Sequence, residues 1–387
     1  MNKKIIIILS IFTVLLISIF LCWLLWFFQP NKILNIYILD KTVPTQERTE
    51  HKSFNWILNN KKITKENNNL YQCNEDYYGF FPLNLLNKKF DFKSIRINEI
   101  NEIANKYDLC YYTDTYGVYY NEWYKNNTNE KTHQRVYGGL NQNDYLLLKE
   151  MKKKKKLIIT EFNFYNAPTN PLIQEKLENL FGIFWSGWTG KYFSSLDSSK
   201  NIVPKWIIKL YKEQNNNAWA YKNGGIVFVH KFGTIAILES KTHYINNDLQ
   251  IVTKDNVCKK YNLPKNIKYT NWFDISYSGV ENEVLANFEI STNAKGDSIL
   301  NKYNLKSNFP AIIQHKNDYS FYYFCGDFAD NPVSLNSSDF KCLNNIYPYF
   351  IRKNTKKGFF WKYYRPLMSE ILDDYYDKLK VDACNKN

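Results

Sequence analysis

The chain has 387 residues, 44% hydrophobic and 23% charged, enough for one large domain or two ordinary ones, and this excludes a wholly disordered protein. With 14 Gly and 11 Pro, collagen-like and Pro-rich architectures are excluded as well. The formal charge of +14, from 51 Lys and Arg against 37 Asp and Glu, has the sign that attracts nucleic acid, anionic lipid or acidic polymers. It accompanies heavy use of Asn, Ile, Tyr, Phe and Lys, the composition of an AT-rich coding sequence, and no nucleic-acid-binding motif goes with it.

Residues Ile5 to Phe28 carry no charge. As a helix of about 1.5 Å per residue they would extend roughly 36 Å, enough to cross a hydrocarbon core of about 30 Å. Trp23, Trp26, Phe27 and Phe28 cluster at the far end, where aromatic rings favour the lipid–water boundary. A cleavable signal peptide would have a shorter apolar run and a small-x-small site, and the residues here are bulky. The expectation is a cytoplasmic tail (1–4), a transmembrane anchor (5–28), an extracytoplasmic α/β domain with irregular insertions (33–380) and a tail (381–387). Lys3 and Lys4 would keep the N-terminus cytoplasmic and the domain outside.

Past the anchor, strand-like and helix-like segments alternate. Ile33 to Leu39 is an apolar run ending in Asp40, and Phe54, Ile57 and Leu58 recur at helical spacing. Tyr107 to Thr113 reads as a strand ending in Asp114, Leu140 to Met151 as a helix, and Leu157 to Thr160 as a strand ending in Glu161. Ile173, Leu177 and Leu180 give another helical face, and Lys152 to Lys156 a solvated turn. Ile226–His230 and Thr234–Glu239 read as a hairpin, Tyr319–Cys325 as a strand closed by Gly326-Asp327, and Leu367, Ile371, Leu372 and Tyr375 as a final helix. Such alternation predicts a mostly parallel sheet covered on both faces.

Three of these strands end in an acid, and in open parallel sheets ligands bind beyond the carboxyl ends of the strands. Asp40, Asp114 and Glu161 are therefore expected to share a crevice, with Arg48, His51, Tyr116 and Asn163 on the loops that follow. Asp114 and Glu161 are the candidates for acid–base work; each acid could equally bind sugar hydroxyls or cap the next helix. In the stretch from Gly182 to Phe193, Gly190-Lys191 lacks the glycine and Ser/Thr of a phosphate loop. Trp188 and Tyr192 are expected to stack on sugar rings, unless the stretch is a loop packed over the core.

Cys22 lies within the anchor, leaving Cys73, Cys110, Cys258, Cys325, Cys342 and Cys384 as an even set outside that could pair. With no C-x-x-C and the histidines distant in sequence, neither metal nor cofactor is implied. Asn126-Asn127-Thr128 and Asn336-Ser337-Ser338 match the glycosylation sequon. No G-x-S-x-G, H-E-x-x-H or EF-hand loop occurs.

The order of elements resembles the class I glutamine amidotransferase-like superfamily, a flavodoxin-like three-layer sandwich. The strands ending at Asp40, Asp114 and Glu161 are similar to its successive sheet strands. Phe309-Pro310-Ala311-Ile312-Ile313 followed by Tyr322-Tyr323-Phe324-Cys325-Gly326-Asp327-Phe328 resembles its late hairpin. The chain also resembles single-span bacterial surface proteins. The superfamily's amidotransferases use a Cys-His-Glu triad, and the matching turn here, Glu161-Phe162-Asn163, has no cysteine. The resemblance therefore implies one of the non-catalytic relatives that serve carbohydrate-active proteins as assembly or ligand-binding domains. The expected function is recognition or handling of an anionic or neutral cell-surface polysaccharide. A glycan hydrolase with paired carboxylates and a structural docking component of a membrane complex are the alternatives. An acid-lined cleft would favour the first two and a broad apolar patch the third.

Overall fold

The computed structural model describes residues 3–124, 134–244 and 249–384; the sequon at Asn126 lies outside them. A single helix, Lys3–Phe27, opens the chain, and its Ile7–Phe27 stretch is long and apolar enough to cross a membrane. Its foot is embedded in the domain that follows. Trp26 is buried and its Nε1 donates to the Asn59 carbonyl at 2.9 Å, while Lys62 Nζ donates to the Phe27 carbonyl at 2.6 Å. Cys22 is disulfide-bonded to Cys342 with Cα atoms 5.2 Å apart. The cysteine inside the apolar run is thus the one that pairs, and Cys73, Cys110, Cys258, Cys325 and Cys384 are unpaired thiols.

The core is a ten-stranded sheet. Five neighbouring strands, in spatial order Phe321–Phe324, Leu157–Thr160, Leu109–Tyr112, Ile36–Asp40 and Tyr78–Asn84, run parallel. The first four are buried at every residue, as strands covered on both faces must be. Beyond Phe321–Phe324 the strands Asn308–His315, Glu283–Glu289, Gln250–Thr253 and Asn266–Lys268 add antiparallel, and Lys89–Lys93 closes the other edge antiparallel. The sheet is therefore mixed rather than mostly parallel. The short helices Asp255–Tyr261 and Ala294–Lys302 lie in connections that return antiparallel, so an intervening helix here does not signal a crossover.

A second, antiparallel sheet has the order Ile235–Glu239, Gly225–His230, Ile183–Phe193, Trp272–Ser278. Its outer face has its own small core of Phe193, Leu196, Val203, Ile207, Val227, Ile235 and Ile237 under the helix Lys205–Gln214. The two sheets are stitched where Asp274 N donates to the Cys325 carbonyl at 2.8 Å and Asp327 N to the Trp272 carbonyl at 3.0 Å.

Helix boundaries follow their caps. The helix expected from Leu140 begins at Gln142 because the Asn141 side chain accepts from the backbone of Asn143 and Asp144, and Asp144 reciprocates to Asn141 N. Lys152 and Lys153 occupy its last turn, where cations are favoured. Asp144 Oδ2 also meets Lys41 Nζ at 2.6 Å, both side chains no more than 4% exposed, and Lys41 donates to the Gly139 carbonyl at 2.8 Å. Breaking a buried pair of this kind costs about 3–5 kcal/mol, because one charge is left uncompensated. Asp144→Ala is therefore expected to lower the unfolding free energy of the detergent-solubilised chain by about that much. A Lys41→Met/Asp144→Leu double variant should recover most of the loss in the same denaturant titration.

Candidate functional site

At the carboxyl ends of the parallel strands, where sheet topology places ligand sites, an open cleft of about 620 Å³ lies between the loops that follow them and the antiparallel sheet with its covering helix. One wall is made by the loops after the parallel strands: Asp114 and Tyr116, then Phe162, Asn163 and Asn166, then Asp327 and Asp330. Glu50 joins them from the first turn of the Thr49–Asn60 helix. The facing wall is the antiparallel sheet and its helix, contributing Trp185, Thr189, Lys191, His230, Trp272 and Trp206.

The three acids expected to share this crevice meet different ends. Asp40 is fully buried behind the cleft, accepting from Thr42 N at 2.9 Å and facing His51 Nδ1 at 2.6 Å. His51 is equally sealed, and its Nε2 reaches the Cys73 carbonyl at 2.8 Å. Burial alone would lower the imidazole pKa; hydrogen bonding to the side chains of Asp40 and Cys73, with their charges, outweighs it and pushes the value up to about 10. Both ring nitrogens then donate, and His51 is a buried cation. Arg48 caps the same helix in the left-handed conformation, its guanidinium over the Tyr77 ring. Neither Arg48 nor His51 lines the cleft.

Glu161, 1% exposed, accepts from Tyr111 Oη at 2.6 Å with one oxygen and from the backbone N–H groups of Phe328 and Ala329, both at 2.9 Å, with the other. Burial lifts its pKa to about 8 even though these donors favour the charged form. It ties the turn after Phe321–Phe324 to the neighbouring strand, and does not line the cleft.

Asp114 does line it. Its Oδ1 accepts from Tyr116 N at 2.7 Å and from Asn163 Nδ2 at 3.1 Å. Asn163 holds a left-handed backbone, φ 69°, which asparagine tolerates better than most residues, and its carbonyl is fixed by Thr115 Oγ1 at 2.7 Å. Burial pushes the Asp114 pKa up to about 7; the Tyr116 N–H opposes this and the charge of Asp40 adds to it. Glu50 and Asp327 are raised well above the carboxylate range by burial first and then by the neighbouring acids. Near neutral pH the cleft thus holds in Asp114 a carboxyl able to donate as well as accept. Among the described residues no group of acids, histidines and cysteines is arranged to hold a metal ion.

The Gly182–Phe193 stretch is a strand, Ile183–Phe193, and not a loop. Its register shifts between Trp185 and Thr189 around Gly187, whose φ is +88° and where a Cβ would lie 2.7 Å from His230 Nε2. Trp185, Thr189 and Lys191 face the cleft. Trp188 is buried against His230 and Tyr303, and Tyr192 packs with Lys268. The two aromatic residues expected to stack on ligand therefore lie on the other face, and Trp185, Trp206 and Trp272 line the cleft instead. Asp327 was findable by the rule that picked Asp114, being an acid just past a strand end. Trp206 and Trp272 gave no local signal.

Burial pushes the Cys110 and Cys325 thiols well up, so neither supplies a thiolate nucleophile.

No family model matches the chain. It is 27% identical over 316 residues to Protein Ycf2 of Physcomitrium patens, covering 78% of this chain and 13% of that protein, so it spans a small part of that relative's length. A solved structure of a ThuA-like protein from Bacteroides uniformis overlaps 86% of this chain and 96% of its own at 10% identity. The TM-score of 0.32 is too low for that likeness to carry an argument.

Because its folded pKa is raised, protonated His51 contributes its full stability below about pH 6.5 and loses it as pH rises through about 10. His51→Gln is expected to flatten the alkaline limb of the stability–pH curve measured by denaturant unfolding. An unchanged alkaline limb would mean that His51 is already neutral.

Proposed function

We propose that the chain is a membrane-anchored domain of the glutamine amidotransferase-like kind, without amidotransferase chemistry, that binds a cell-surface glycan in the Asp114 cleft. The observation that carries this reading is the cleft's two-sided chemistry: indoles of Trp185, Trp206 and Trp272 on one wall, carboxyls of Glu50, Asp114, Asp327 and Asp330 on the other. Apolar ring faces match the CH surface of a sugar, and carboxyls pair with its hydroxyls. A purely structural docking component has no need of such a cleft.

The Lys3–Phe27 helix serves as the anchor, with the domain outside. The Cys22–Cys342 disulfide supports that side, since disulfides persist in oxidising compartments. The Thr49–Asn60 helix carries Glu50 at the cleft and presents Asn59 to Trp26 of the anchor. Its 12 residues, at about 1.5 Å each, set the cleft at the far end of that helix from the anchor.

Titration of the full chain with neutral and anionic oligosaccharides by calorimetry tests the reading. Trp206→Ala, which removes a 44% exposed ring, is expected to weaken binding up to about tenfold, the worth of one stacked ring. Absence of binding to any of the oligosaccharides, or unchanged affinity in both Trp206→Ala and Asp114→Asn, would contradict it.

A second reading, hydrolysis of the bound glycan, is favoured by one observation, the Asp114 pKa of about 7. A carboxylic acid poised near neutrality can protonate a leaving group. Cleavage of the bound oligosaccharide is then expected to decline above about pH 7 and to vanish in Asp114→Asn, with product release followed chromatographically. Binding without cleavage at any pH would leave the recognition role alone.

A further inference from the structure

We propose that the Leu343–Phe350 helix is a second membrane contact, lying in the headgroup layer of a bilayer that contains anionic phospholipid. The proposal rests on the reading of Lys3–Phe27 as the anchor. Ile346, Tyr349 and Phe350 recur at helical spacing and share one face, and they are 49%, 88% and 80% exposed. The other face is docked on the domain. Asn344 Nδ2 donates to Asn60 Oδ1 at 2.7 Å, Arg365 Nη2 donates to the Asn344 carbonyl at 3.3 Å, and the Tyr347 ring sits 4.8 Å from Trp361. Ile346, Tyr349 and Phe350 are thus left as large apolar groups outward although Leu343 and Tyr347 of the same helix find packing partners inside, an arrangement unlike that of a helix facing water.

Continuity with the anchor identifies what covers this face. Cys342, immediately before the helix, is bonded to Cys22, and Lys341 N donates to the Cys22 carbonyl at 3.3 Å. A hydrocarbon layer of about 30 Å takes about 20 residues of helix, so an anchor entering at Ile5 leaves it near Leu24. Cys22 then sits at the boundary, and the Leu343–Phe350 helix starts beside it at the same depth. Tyrosine and phenylalanine are at home at that depth. The charge also fits: from Phe340 to Tyr364 there is no acidic residue, while Lys341, Arg352, Lys353, Lys356, Lys357 and Lys362 are basic. Lys356 reaches back to Asp330, and the segment as a whole complements anionic headgroups.

The test places the full chain in nanodiscs of phosphatidylcholine and phosphatidylglycerol doped with a lipid carrying a photoreactive diazirine on its acyl chain near the headgroup. Labelled peptides are read by mass spectrometry. Peptides containing Ile346 to Phe350 are expected to label at least about fivefold above the peptide carrying Phe232, which is 81% exposed between the cleft-lining residues Lys231 and Gly233. Labelling of the anchor with none on Ile346 to Phe350 would overturn the inference and leave that face to a protein partner. Labelling of neither would overturn the anchor itself, so the two failures are distinguishable.

Discussion

The structure depends on what happens to a carboxyl placed at the end of a strand that is buried on both faces. Removing a carboxylate from water costs several kcal/mol unless partners replace the solvent or the group keeps a proton. Asp40 is matched by a buried imidazolium, and Glu161 by a tyrosine hydroxyl and two backbone N–H groups. These two solutions lock the sheet: the first fixes the helix after the Ile36–Asp40 strand, the second the turn after Phe321–Phe324. Asp114 has the third solution, with neutral donors, Tyr116 N and Asn163 Nδ2, and an opening to the cleft. Three acids in equivalent topological positions thus divide into two that hold the fold and one left available for a ligand.

The second sheet converts that opening into a cleft. Its bond pattern to the end of the Phe321–Phe324 strand sets Trp272 opposite Asp327, and the bulge at Gly187 brings Trp185, Thr189 and Lys191 onto one face. Lys191 is itself partly withdrawn from water, and burial followed by the charge of Lys356 lowers its pKa. A cation beside four acids limits their mutual repulsion while leaving hydrogen-bonding capacity toward solvent.

Much of this was legible in the sequence. The buried strands around Ile36, Leu109 and Leu157 stand out because parallel strands read as unbroken apolar runs, and the acids ending them point to the correct end of the sheet. The hairpin of Asn308–His315 with Phe321–Phe324 is the antiparallel pair that the superfamily resemblance implied. Strand direction beyond it was not legible, since a helix between two strands is compatible with either sense of return. The face presented by Trp188 and Tyr192 was also hidden: with side chains alternating every residue, a bulge at Gly187 decides which tryptophan meets the cleft. The Cys22–Cys342 pair joins residues 320 apart in sequence, a contact that only the tertiary fold creates.

The chemistry of the cleft rests most directly on Asp114 differing from an ordinary surface carboxylate. Infrared difference spectra of wild type against Asp114→Asn, recorded across the pH range, isolate the carbonyl stretch of its protonated form. The expected result is a band present in mild acid that disappears near pH 7 and is missing from the variant. A carboxyl already ionised near its ordinary value of about 3.9 would contradict it, and would mean that the cleft is wetter and its acids better solvated than the packing described above allows.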